Sequence, residues 1–372
     1  MPKLKVLMLN HEFPPVGGGA SPLTFELCAE LVKQGHLVDV VTMHYKKTAR
    51  FEIVQGINIY RTAALRKRPD ICHPHELATY LPGAFFKTLS LAGKNKYDII
   101  HCHFVVPGAP LAWLISRLTG IPFIVTCHGS DVPGHNPDRF IVLHKIIKPL
   151  WNFFSKRAAL IIAPSEFLRQ KILQANKSLR VEVVPNGVDI TRFVRENKTK
   201  SVLLCSRMLK FKGIQYFIEA VRDLEVDWKF NIVGDGPYLP ELKIMAENSR
   251  TPIRFWGWLD KNSKEYIELF SKSSVFVFPS QAENFPTVLL EALSAGMAII
   301  TSDAGGCPEV VGDAGLYVQP ADAAGIRSSL LTLINDEKLR FNLQMQSLER
   351  AKKYAWNLIA ERYTEVYRSI IG

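Results

Sequence analysis

The feature that most constrains this chain is a repeating alternation. Short apolar runs, mostly β-branched and bounded by Gly, Pro, Asn or Asp, alternate with helical patterns of ten or more residues. In the first half the runs are KVLMLN (5–10), LVDVVT (37–42), INIYRTA (57–63), YDIIHCHF (97–104), PFIVTCHG (122–129), ALIIAPS (159–165) and VEVVPNG (181–187). In the second half they are SVLLCSR (201–207), WKFNIVGDG (228–236), IRFWGWL (253–259), VFVFPS (275–280), AIITSD (298–303) and LYVQ (316–319). Runs this apolar fit strands buried on both faces, and the helical spacers fit crossovers between parallel strands. The expected class is α/β, with ligands at the carboxyl ends of the strands. A chain of 372 residues exceeds what one core usually supports, so two domains are expected. The polar stretch RENKTK (195–200) reads as the linker, giving domains 1–195 and 196–355. A final amphipathic helix over 356–372 spaces Leu358, Ile359, Tyr363, Val366 and Tyr367 on one side.

Charge divides the chain unevenly. Residues 1–198 carry 26 Lys and Arg against 14 Asp and Glu, a balance of +12; residues 199–372 carry 20 against 21, a balance of −1. A basic half attracts anionic lipid, nucleic acid or acidic glycan. Six cysteines are scattered without a C-x-x-C pair, which argues against a disulfide framework or zinc knuckle and fits a reducing cytosol. The N-terminal apolar run is too short for a secretory signal. The longest stretch without Asp, Glu, Lys or Arg, Ile99–Ser116, contains two His, two Pro and a Gly, which disfavours a membrane span.

Between the first strand and first helix lies FPPVGGGAS (13–21). Gly17 and Gly19 match the start of a dinucleotide fingerprint, but the third position is Pro22, so the pattern fails despite a suitably placed Asp39. A tight turn that only glycine fits is an equal reading. The most informative stretch is residues 276–311, FVFPSQAENFPTVLLEALSAGMAIITSDAGGCPEVV. A strand ends at Pro279, a polar loop carries Glu283 and Asn284, and a helix starts near Pro286 and ends at Gly296. Glu283 would precede this helix and Glu291 lie in its first two turns. N–H groups near Phe285, Thr287 and Val288 would face an anion there. Two carboxylates beside a phosphate site suit sugar hydroxyls, so a nucleotide-sugar has the matching shape. Two glutamates eight apart on a solvated helix face is the plainer alternative.

The stretch resembles the Glu-x7-Glu motif of retaining glycosyltransferase family 4, the glycosyl transferases group 1. SRMLKFKG (206–213) is similar to that family's phosphate-binding segment, with Ser206 where glycine is usual. VPNGVD (184–189), VGDGP (233–237), TCHGSD (126–131) and the opening Gly-rich loop also fit. The resemblance implies a GT-B fold: two Rossmann-like doubly wound domains facing an interdomain cleft, an N-terminal acceptor-binding and a C-terminal nucleotide-sugar-binding domain, with the last helix crossing back to the first. It implies a hexosyltransferase that moves a sugar from a UDP- or GDP-sugar to a glycan or lipid-linked acceptor. Cell-surface polysaccharide or glycolipid synthesis is the implied setting.

By the same resemblance, Arg207 and Lys212 would neutralise the departing diphosphate, aided by helix amides. Glu283 would orient the donor sugar and Glu291 hold the ribose. Asn284, Phe285, Pro286, Thr287 and Val288 would surround sugar and phosphates, and backbone near Trp258 would meet the base. For the Trp258 side chain, a core position is at least as good a reading. His128 would contact the sugar from the other domain, where a purely structural histidine is the alternative. Gly18 and Gly19 would let backbone approach the donor phosphates or the acceptor. The chain has no Asp-x-Asp, so no metal and no other cofactor is expected. His101 and His103 could mimic a metal pair but lack an evident third ligand.

The helical stretch 139–158 sets Lys145, Lys148, Asn152 and Lys156 beside Ile146, Ile147, Leu150, Trp151, Phe153 and Phe154, with Pro149 interrupting it. With residues 80–96 it suits either an anionic inner-membrane face or packing on the sheet. The expected location is cytoplasmic, peripheral to that face. Two other classes remain open: a nucleotide-sugar epimerase or hydrolase of the same fold, and a basic nucleic-acid-binding protein, for which no recognition motif is present.

Overall fold

A computed structural model describes residues 2–69, 72–134, 141–194, 197–247 and 249–372, with the backbone alone for 141–147. The chain forms two compact units, 1–186 with 356–372, and 187–355.

In the first unit strands and helices alternate as the sequence pattern demands. β1 (Lys5–Leu9) leads through the glycine loop to α1 (Ala20–Lys33) and β2 (Leu37–Met43). A hairpin of β3 (Phe51–Val54) and β4 (Ile57–Thr62) follows, then α2 (Pro74–Lys94). β5 (Ile99–His103), α3 (Val105–Thr119), β6 (Phe123–Thr126), α4 (Ile141–Ser155), β7 (Leu160–Ala163), α5 (Glu166–Ala175) and β8 (Val181–Val183) complete it. The strand order is β3-β4-β2-β1-β5-β6-β7-β8, with only the β3–β4 pair antiparallel among the described strands. β3 was not expected from the sequence: FEIV is a four-residue, half-exposed edge strand and buries too little to show as an apolar run. Its turn is legible afterwards, since Gln55 and Gly56 both take positive φ (51° and 80°), as a two-residue hairpin turn requires.

The second unit repeats the scheme. β9 (Thr199–Cys205) passes through a 3-10 turn (Lys210–Lys212) to α6 (Ile214–Val221). Then come β10 (Lys229–Val233), α7 (Leu239–Glu247), β11 (Ile253–Phe255), α8 (Lys264–Lys272), β12 (Ser273–Phe278) and α9 (Thr287–Ser294). β13 (Ala298–Ser302), α10 (Cys307–Val311), β14 (Gly315–Val318), α11 (Ala323–Asn335) and α12 (Glu337–Lys352) close the unit. Its described strands are all parallel, in the order β11-β10-β9-β12-β13-β14. Each sheet is buried on both faces by apolar layers, as continuous Val/Ile/Leu/Phe strands require.

The unit boundary falls at residue 186, nine residues before the sequence-based one. Val188 donates its N–H to Tyr354 O (2.8 Å) and Phe193 stacks on Phe270 (5.1 Å), which ties residues 187–194 to the second unit. The expected linker is therefore displaced. Arg195 and Glu196 lie outside the described residues, and Thr199 and Lys200 are already in β9. Lys198 is no linker charge either: its Nζ donates to the carbonyls of Phe270 (3.3 Å), Ser271 (2.8 Å) and Ala295 (2.7 Å), at the ends of α8 and α9. A basic side chain is indistinguishable in sequence from a solvated one until those carbonyls converge on it.

The last helix, α13 (Trp356–Ile371), belongs to the first unit. It buries Ile359, Tyr363, Val366 and Tyr367 and leaves Leu358 exposed. Burial of four such side chains contributes roughly 2 kcal/mol each before ordering costs. Polar contacts fix the register: Gln34 Nε2 donates to Asn357 O (2.9 Å), and Tyr367 OH lies 2.8 Å from His101 Nδ1. α4 runs through Pro149 rather than breaking there. Trp151 and Phe154 enter the core, whereas Lys148, Leu150, Phe153 and Lys156 are exposed. The side chains of Lys145, Ile146 and Ile147 lie outside the described residues.

Candidate active site

In a doubly wound sheet the crevice opens where the strand order reverses. In the second unit that point lies between β9 and β12. Ser206, Arg207 and Lys212 follow β9, and Glu283 follows β12, so all four stand beyond adjacent carboxyl ends. Lys212 Nζ donates to Glu283 Oε1 in an ion pair whose two side chains are each nearly nine-tenths buried. Arg207 is exposed and makes no ion pair among the described residues.

Glycines set this geometry by permitting close backbone approach. Gly306 N donates to Glu283 O (3.0 Å), and a Cβ on Gly306 would come within 1.5 Å of Asn284 O. No other residue fits there, so the AGG loop after β13 clamps the Glu283–Asn284 loop. α9 then begins at Thr287 with Pro286 as its cap, without a side-chain cap bond. The first-turn N–H groups of Thr287 and Val288 thus have no acceptor within the helix, and the helix dipole is positive there.

Glu291 is held separately. Its Oε1 accepts from Lys261 Nζ (2.9 Å) and Arg192 Nη1 (3.4 Å), and its Oε2 accepts from Tyr266 OH (3.1 Å). Glu283 thus precedes α9 and carries one cation, Lys212, whereas Glu291 lies within α9 and carries two, Lys261 and Arg192. Trp258 is 70% exposed, which overturns the core reading of its side chain; Trp256 instead turns inward and donates Nε1 to Asn231 Oδ1 (2.9 Å).

In the first unit the order reverses between β1 and β5. The glycine loop follows β1. Gly18 N donates to Glu12 Oε2 (2.9 Å), so a carboxylate already occupies that amide. Gly17 is the sterically required glycine: its φ is +115° and a Cβ would lie 2.6 Å from Glu12 Cβ, whereas Gly19 has open space. On the neighbouring strand β5 and just past β6 lies a stack of imidazoles. His101 and His103 stack at 4.6 Å and His103 and His128 at 5.2 Å. His128 lies just past β6, in a turn closed by Asp131 Oδ1, which accepts from His128 N (3.0 Å) and Gly129 N (3.1 Å). Burial pushes His101 down to about 3 and His128 to about 4, and holds His103 well below the ordinary imidazole range. All three are neutral at pH 7.

Residues 17–192 match the family model Glycosyltransferase Family 4, and residues 199–336 match Glycosyl transferases group 1. The chain belongs to glycosyltransferase family 4. A relative from Methanocaldococcus jannaschii, an uncharacterized glycosyltransferase, is 27% identical, with 98% of each chain covered. The phosphatidyl-myo-inositol mannosyltransferase of Mycolicibacterium smegmatis is 29% identical over 78% of this chain and 76% of its own. Among solved structures, the Anabaena protein HepE in complex with UDP-glucose has a TM-score of 0.75 at 19% identity, covering 98% of this chain and 100% of that one. The two-unit Rossmann-like architecture is the GT-B fold, and the protein is a glycosyltransferase.

In this glycosyltransferase, the second unit collects Ser206, Arg207, Lys212, Glu283, Asn284, Phe285, Pro286, Thr287, Val288 and Glu291 around the ends of β9 and β12 and the start of α9. Gly18, Gly19 and His128 stand at strand ends of the first. His101 and His103 do not form a metal pair: His101 is taken up by Tyr367 OH and by Thr126 Oγ1 (2.8 Å), and His103 by His128 and Met8. Sequence reasoning missed Arg192, Lys261 and Tyr266 around Glu291, since nothing in their spacing links them. It also missed Asp131, although an acid closing a Gly-Ser turn is a readable turn signal.

Proposed function

We propose that this glycosyltransferase is a retaining, metal-independent hexosyltransferase. It takes its sugar from a UDP- or GDP-sugar and transfers it to a glycan or lipid-linked acceptor in cell-surface polysaccharide or glycolipid synthesis. The observation that carries the reading is the buried Lys212–Glu283 pair at the second sheet's reversal point, beside the uncapped start of α9. Lys212 and Arg207 stabilise negative charge on the departing diphosphate, and the Thr287 and Val288 amides add their dipoles. Glu283 accepts from the sugar's hydroxyls, and Glu291 from the ribose. His128 meets a sugar hydroxyl, and Trp258 marks the backbone that faces the base. HepE is solved in complex with UDP-glucose, and the mycolicibacterial relative is a phosphatidyl-myo-inositol mannosyltransferase; both fit this substrate class.

Thermal shift against UDP-, GDP- and ADP-sugars tests the reading, because a ligand of the native state raises Tm. A UDP- or GDP-sugar is expected to stabilise, with turnover unchanged in EDTA and the product's anomeric configuration retained by NMR. If none of the three series shifts Tm, the reading fails. Membrane association belongs to the same proposal. Among the described residues no helix is long and apolar enough to cross a membrane. Exposed Leu150 and Phe153 beside Lys148 and Lys156 on α4, and exposed Phe86 beside Lys87 on α2, suit an anionic surface instead.

A further inference from the structure

The imidazole stack in the first unit spans three neighbouring strands, with Met8 on β1, His103 ending β5 and His128 beyond β6. His103 is 2% exposed, so its ring nitrogens must be satisfied by protein. Its Nδ1 lies 2.9 Å from His128 Nε2, and its Nε2 lies 3.2 Å from Met8 Sδ. A thioether has lone pairs and no proton, so it can only accept. If His103 carried its proton on Nδ1, its Nε2 lone pair would face sulfur lone pairs with nothing between them. With the proton on Nε2, the N–H points at the sulfur and Nδ1 is left as an acceptor.

Thr24 cannot supply that acceptor with a proton. Its Oγ1 lies 3.4 Å away and donates instead to Ala20 O (2.8 Å), while accepting from Asn10 Nδ2 (2.8 Å). His128 therefore donates from Nε2. A neutral imidazole has one N–H, so the Nδ1 of His128 is bare. Among the described residues that Nδ1 has no hydrogen-bond partner, and the side chain is half-buried rather than sealed.

We infer that His103, oriented by Met8, is a positioning residue that locks His128 as its Nε2–H tautomer, so that His128 offers a bare Nδ1 as an acceptor to a substrate hydroxyl. This rests on the reading that His128 meets the sugar. It assigns the chemistry of that contact: the group accepts from a hydroxyl and does not donate a proton to a phosphate oxygen. A neutral acceptor stays in one form at pH 7, so each hydroxyl it meets must bring its own proton.

Long-range proton–nitrogen correlation on histidine-labelled protein reads the tautomers directly. Both His103 and His128 are expected as Nε2–H; an Nδ1–H signal from either overturns the lock. Met8→Leu conserves volume but removes the sulfur acceptor. It is expected to raise the Nδ1–H population at both histidines and to lower kcat/KM about fivefold, the worth of one neutral hydrogen bond, with the dissociation constant of UDP unchanged. Unaltered tautomers in this variant would overturn the role of Met8. Saturating UDP-glucose or GDP-mannose is expected to shift the His128 Nδ1 resonance where UDP or GDP alone does not. If neither sugar nucleotide moves it, the contact with substrate is wrong even where the tautomer result stands, which separates the two failures.

Discussion

Lys212 and Glu283 are of opposite charge, yet both are nearly withdrawn from water, so removing one leaves the other uncompensated. Lys212→Met is therefore expected to cost about 3 kcal/mol of stability as well as turnover, checked by urea denaturation alongside steady-state kinetics. Arg207→Ala should differ: the side chain is exposed and unpaired among the described residues, so activity should fall about a hundredfold with the urea midpoint unchanged. The glycine loop makes a sharper contrast. Gly17→Ala forces a positive-φ residue and a 2.6 Å contact with Glu12 and should lower Tm. At Gly19 an added Cβ has nothing within 4 Å, so in Gly19→Val Tm should hold while turnover collapses. Retained turnover in Gly19→Val would remove the loop from the site.

At the level of elements, loops are placed by the strands and glycines beneath them rather than by their own composition. The Glu283 loop depends on Gly306, whose added methyl would meet Asn284 O at 1.5 Å. Gly306→Ala is expected to destabilise the second unit by at least about 3 kcal/mol, measured by denaturant unfolding. The imidazole stack sets a pH dependence for the first unit. His101, His103 and His128 have folded values below their unfolded ones, with His101 about 3 and His128 about 4. Between those values and about 6.5 the unfolded chain binds more protons, so stability rises with pH there and is lost as pH falls through that window. Each such histidine contributes about 2 kcal/mol of loss at pH 5 relative to pH 7. Urea midpoints measured from pH 7 to pH 5 should fall steeply, and His101→Asn should flatten the slope.

For the whole molecule, the excess of positive charge lies on the first unit, where 1–186 holds 23 Lys and Arg against 12 Asp and Glu and 356–372 holds 2 against 2, a balance of +11, and where Phe86, Leu150 and Phe153 are exposed. Flotation with phosphatidylglycerol vesicles should show binding that is lost near 1 M salt, where screening acts within about 3 Å. Absence of binding at low salt would remove the membrane from the proposal. Much of this molecule was legible beforehand. The period of apolar runs marked thirteen of the strands, because parallel strands must be apolar on both sides. The Pro286 and Gly296 punctuation marked α9, because those residues have strong local preferences. What escaped was whatever depends on distant chain meeting: β3 at an edge, Lys198 under two helix ends, and the cations on Glu291. The sequence alone determined the layered α/β class and the restart of the strand–helix pattern in the second half, since these follow from periodicity, while the candidate phosphate and sugar residues came from a family resemblance. Only the tertiary structure decided which acid meets which cation and which nitrogen of His128 is bare, because the deciding contacts join distant residues: 71 positions for Lys212–Glu283, 95 for Met8–His103 and 99 for Arg192–Glu291.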